Sequence, residues 1–187
     1  MLMKLVATAA TAFAVGLVLI AGASGSREQL CFGATPTITG AGTILGTDAD
    51  DVIVGSSSDD VILAGNGADR VCAGSGDDDV QGGGGNDILD GDYGHDQVRG
   101  QQGNNEVYGG NGRDLVAGGP GIDAVYGGDG DDDVRGGFGD GDMVFGERGD
   151  DFLQGGPGVN DTCDGGRGKD SAETIGPEAC EVVIDVP

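Results

Sequence analysis

Between residues 46 and 173 glycine returns with a period of nine. Fourteen units plus two single-residue insertions, near Gly141 and Val159, use up that whole stretch. Numbering each unit from one to nine, position six is Asp51, Asp60, Asp69, Asp78, Asp87, Asp96, Asp114, Asp123, Asp132, Asp142, Asp151, Asp161 and Asp170, and only Asn105 breaks the series. Position eight is apolar every time: Ile53, Ile62, Val71, Val80, Leu89, Val98, Val107, Val116, Val125, Val134, Val144, Leu153, Cys163 and Ala172. Position four is Gly except at Ala49 and Ser58, and position one is Gly except at Ala64 and Ala73.

Each position has a physical reason. Glycines at one, two and four permit positive φ in a tight turn and close backbone approach. An apolar residue between two solvent-facing neighbours makes a three-residue strand with one inward side chain. A unit of this kind buries one Val or Leu and cannot fold alone, so neighbours must stack into a solenoid. The expected architecture is all-β: a parallel β-roll in which two units make one coil, with strands alternating between two sheets. Fourteen units predict seven coils. Composition alone points elsewhere, because 42 glycines, 4% aromatics and a net charge of −24 in 187 residues are the marks of an acidic disordered chain. Disorder, however, does not require an apolar residue at one position fourteen times running. The same charge excludes binding of nucleic-acid phosphates by simple electrostatics.

Stacking places the position-six aspartates of units two apart in a column along each edge. Unneutralised, such columns repel. Turn carbonyls beside carboxylates make an all-oxygen environment that suits Ca²⁺ better than the rigidly octahedral Mg²⁺. Fourteen units leave room for up to about 12 ions between same-side turns. The motif G-G-x-G-x-D-x-U-x, clearest in Gly82–Asp90, Gly109–Ala117 and Gly127–Arg135, resembles the RTX or haemolysin-type calcium-binding repeat. That resemblance implies a right-handed parallel β-roll with calcium held by turn carbonyls and by the position-six Asp of units n and n+2. Ser56, Ser57 and Ser58, Asp92, Gln101 and Asn105 depart from the motif, so fewer than 12 strong sites are expected.

Residues 1–23 read as a secretory signal peptide: a positive start, an apolar stretch from Leu5 to Ile20 and the small-x-small Ala21-Gly22-Ala23. A stretch of 16 residues, apolar apart from Thr8, Thr11 and Gly16, falls short of the ~20 that span a bilayer. The divisions that follow are an N-terminal linker and cap at 24–45, the roll at 46–173 and a C-terminal cap at 174–187. Four cysteines in an exported chain allow three pairings. Cys31 with Cys72 and Cys163 with Cys180 is the favoured one, since it staples each end flap onto the outer coils; zinc is disfavoured by a single His and no C-x-x-C. RTX proteins exported by type I machinery typically lack cysteines and a cleaved leader. This chain resembles instead the small secreted repeat proteins of bacteria with a Sec-type signal.

No catalytic constellation is present in the sequence. His95, the sole histidine, reads as a solvated turn residue, and the position-five acids such as Asp50 and Asp150 read as solvated charges. The flanks are too short to hold an enzyme domain. On one outer sheet Tyr108, Tyr126 and Phe145 stack in successive coils, either to stabilise the sheet or as a face for an extracellular glycan or protein. The expectation is therefore a secreted, non-enzymatic calcium-binding roll that folds on binding. The alternative is a calcium-stabilised adhesin or matrix protein acting through that aromatic face.

Overall fold

The structure, a computed structural model, describes residues 30–172, Cys180 and the backbone of 182–184. The expected leader at 1–23 lies outside the described residues, as does most of 174–187. Among the described residues there is no helix. Seventeen strands form two parallel sheets, one of nine strands and one of eight, and successive strands alternate between them. The chain is thus a parallel β-solenoid. It has about eight turns where the repeat count alone predicts seven, because segments outside the fourteen units also pair. Ile38–Thr39 lies beside Val52–Val54, Thr43–Leu45 beside Val61–Asn66, and Val182–Ile184 beside Thr162–Asp164.

Within the repeats, partners in each sheet are 18 residues apart, two units, as in Val71 with Leu89 and Val80 with Val98. The two insertions lengthen the affected coils to 19 residues, so that Val125 pairs with Val144 and Val144 with Cys163. The extra residue is absorbed in the turn: Gly141 has φ +90, and a methyl added there would meet nothing within 4 Å. The sheets resume in register beyond it.

Inside, the position-eight side chains form one continuous core running from Ile44 through Ile53, Leu89 and Val125 to Cys163. Most are completely buried. The two sheets face each other across this file, so every coil contributes two apolar side chains and no coil is stable without its neighbours.

The strands differ from expectation in length. From Val61–Asn66 to Met143–Arg148 each spans six residues, covering positions seven to nine and then one to three of the next unit. Glycines at positions one and two leave no side chain between neighbouring backbones, so pairing continues past the apolar triplet, for example Gly65 with Gly83. At Gly83 (φ +109) and Gly85 (φ +135) an added methyl would collide with the backbone of Gly65 and Gly67 in the coil before. Here glycine is needed for both its conformation and its lack of volume.

Candidate metal centre

Twelve of the fourteen position-two residues lie at positive φ, including the non-glycines Asp92, Gln101 and Glu147 at 72°, 70° and 75°. The aspartates from Asp51 to Asp161 are 6% exposed or less, and they form two files linked by one repeated hydrogen bond. On one edge the N–H of Asp51 donates to Oδ1 of Asp69 at 2.8 Å, and the pattern runs through Asp87, Asn105, Asp123 and Asp142 to Asp161. On the other it runs from Asp60 through Asp78, Asp96, Asp114, Asp132 and Asp151 to Asp170. Every expected position-six residue is therefore drawn into one of two columns, and Asn105 keeps its place in the file.

Oδ1 is thus a structural acceptor, and the chemistry lies with Oδ2. In Asp69, Asp78, Asp87, Asp96, Asp114, Asp123, Asp132, Asp142 and Asp151 this atom is buried with no hydrogen-bond partner. Burying a carboxylate oxygen without a donor is costly. Its surroundings are visible at Asn105, where Nδ2 faces Gln101 O at 3.3 Å, Gly103 O at 3.4 Å and Gly118 O at 3.5 Å. Those are the carbonyls of positions two and four of its own unit and of position one in the unit two ahead. The repeat sets an aspartate Oδ2 among the same group: a methyl added to Gly82 would meet Asp87 Oδ2 at 2.5 Å and Gly100 O at 2.6 Å. Oxygen faces oxygen, with no proton donor between.

Burial, the largest effect, raises the carboxyl pKa of Asp87, Asp123, Asp142 and Asp151 from 3.8 to about 6 and that of Asp96 and Asp132 to about 7. The N–H from the preceding same-side unit opposes that shift, and carboxylates elsewhere in the columns add to it for all six. A hard divalent cation would relieve both the burial and the repulsion. Among the described residues no three His, Cys, Asp or Glu side chains converge on one point, so such an ion would be held mainly by carbonyls with one or two carboxylates, a donor set of calcium type.

The position-five side chains are exposed, as expected of solvated turn residues, and they also form a second ladder outside the first. Asp77 Oδ1 accepts the N–H of His95 at 2.9 Å, and His95 Nδ1 accepts that of Arg113 at 2.9 Å. Asp50, Asp59, Asn86, Asn104, Asp131, Asp140 and Asp150 accept in the same way. The turn leaves one N–H per unit pointing along the roll axis, and any short acceptor at position five can cap it. His95 is therefore a solvated turn residue that also caps the backbone of the next same-side turn.

Cys31 and Cys72 form a disulfide, as do Cys163 and Cys180, each with Cα atoms 5.7 Å apart. On the nine-stranded sheet Tyr108 and Tyr126 stack with ring centroids 4.7 Å apart, and Tyr126 and Phe145 at 4.8 Å. Phe32 extends the stack onto Tyr108 at 6.1 Å. Its participation was not legible in the repeat, because it arrives through the flap that the Cys31–Cys72 bond holds down.

Against known proteins, the chain matches the family model for the RTX calcium-binding nonapeptide repeat in four copies, over residues 45–80, 73–107, 108–143 and 137–172. Among curated proteins it has no match.

Proposed function

The chain belongs to the RTX calcium-binding nonapeptide repeat family, matched from residue 45 to 172, and on that footing we propose that it is a secreted, non-enzymatic protein whose roll forms as calcium enters its turns. The observation that carries this reading is the row of buried Oδ2 atoms with no donor. A metal-free roll must hold them beside carbonyl oxygens and beside one another. An unfolded chain leaves them in water, so binding and folding are linked. When bound, calcium supplies the positive charge that these oxygens lack. Asp69 to Asp151 in the two columns are the residues that would hold it. The apolar leader and four cysteines, all paired in disulfides, support passage to an oxidising exterior, where sites of this kind bind in the range of about 10⁻⁴–10⁻³ M. Far-UV circular dichroism during a calcium titration is expected to show a cooperative gain of β signal from a largely unstructured metal-free chain. Identical spectra in chelator and in millimolar calcium would refute the linkage.

A second reading rests on the three-ring stack of Tyr108, Tyr126 and Phe145, with Phe32 tilted at 34° against its end. Its near-parallel rings cover one another's faces, 11° and 8° between planes for the last two contacts, which favours sheet stabilisation worth about 0.5–1.5 kcal/mol per pair. Replacing Tyr108, Tyr126 and Phe145 together by Ser is expected to lower the melting temperature in calcium. Loss of glycan or surface retention with stability unchanged would instead mark that face as the binding surface of an adhesin.

A further inference from the structure

The position-six rungs are not equivalent. We infer that three units close their own rung with protein hydrogen-bond donors in place of a metal ion: 46–54, 55–63 and 100–108. The inference rests on the calcium reading above and sharpens it to particular residues.

Thr47 and Ser56 alone among the position-two residues stay out of the positive-φ region. A β-branched residue such as Thr47 enters that region least readily, and in both units the position-two N–H turns toward the carboxylate. The N–H of Thr47 donates to Asp51 Oδ2 at 2.8 Å, joined by its Oγ1–H at 2.8 Å, and the N–H of Ser56 donates to Asp60 Oδ2 at 2.7 Å. The outer oxygens are engaged as well: Asp51 Oδ1 accepts from Thr37 Oγ1 and Asp60 Oδ1 from the N–H of Gly42. Both carboxylates are already satisfied by the chain.

At Asn105 the exchange is made from the other side. Its Oδ1 keeps the structural bond to the N–H of Asp87 at 3.0 Å, while its amide nitrogen points donors at the three carbonyls that a cation would otherwise share. A neutral NH₂ thus does locally what an ion does in the neighbouring rungs. The first two units and one rung in mid-roll are metal-independent, whereas the nine aspartates named above, whose Oδ2 atoms have no partner, mark rungs that take up calcium.

The test counts calcium bound per chain by equilibrium dialysis, with circular dichroism confirming the fold in millimolar calcium. Asn105→Asp is expected to gain one ion, Asp114→Asn to lose one, and Asp60→Asn to leave the number unchanged. An Asn105→Asp chain that folds without gaining an ion overturns the proposal, and so does an Asp60→Asn chain that loses one as Asp114→Asn does. If Asn105→Asp does not fold, the contrast between Asp60→Asn and Asp114→Asn decides alone. A wild-type chain that binds no calcium would sink the functional reading itself, an outcome distinct from any of these.

Discussion

At the scale of single residues, the position-six carboxyls make the roll answer to acidity in an unusual direction. For the position-six aspartates from Asp69 to Asp151 the folded pKa values are raised, to about 7 at Asp96 and Asp132, whereas in an unfolded chain an aspartate titrates near 3.9. Between those values the metal-free fold binds more protons than the unfolded chain, so its stability is full below about pH 4 and is lost as pH rises through 6 and 7. Protons and calcium then compete for the same oxygens. In chelator, acidification from pH 8 to 5 is expected to increase the β signal, while the calcium concentration needed for half-folding rises over the same interval. A metal-free chain that loses structure on acidification in that range would contradict this. Asp at every ninth residue gave these groups away in the sequence. What hid their division of labour, Oδ1 to backbone and Oδ2 to the cage, was that it depends on the φ angle of a different residue, at position two.

The individual strand is the next scale, and its stability is borrowed. A six-residue strand such as Ile88–Tyr93 carries one core side chain, Leu89, completely buried. Leu89→Ala leaves a cavity flanked by Val71 and Val107 in the strands on either side, and should cost about 2–5 kcal/mol. The check is calcium-loaded thermal or denaturant unfolding, where a change near zero would mean that the core file does not hold the coils together. Position eight was legible because it is apolar in every unit while the residues on either side of it vary between polar and apolar. Strand length was not. The pairing of positions one to three rests on backbone alone, and glycine carries no pattern of hydrophobicity to announce it. The position-five ladder escaped for a related reason, since Asp, Asn and His share no property there except a short reach and an acceptor atom.

For the whole molecule, the ends matter more than the middle, because each interior coil is supported on both sides and a terminal coil on one. The Cys31–Cys72 bond spans 41 residues, and in the chain-entropy account its removal costs about 4 kcal/mol. Replacing both cysteines by Ser is expected to lower the melting temperature in calcium and to raise hydrogen exchange in the first coils before the rest. It also frees the flap that carries Phe32 to Tyr108. Uniform exchange along the roll would mean that the flap caps nothing. The two cysteine pairs follow from where the four residues fall relative to the repeat. The extra strands at Ile38–Thr39 and Thr43–Leu45 were harder to see: Ile44 sits nine residues before Ile53 and Gly40 keeps the position-four place, but Thr37 and Ile38 stand where a unit begins with glycines and Gly42 where it carries its aspartate.

The insertion at Gly141, whose N–H joins the Asp161 carboxylate while the space beside its Cα is open, shows that the nine-residue spacing is a habit of the chain and not a mechanical necessity. What the scaffold demands is that the inward residue and its carboxylate arrive on time. How much polypeptide loops out beforehand is left free, so foreign sequence spliced in at that corner would hang outside an otherwise uninterrupted rod.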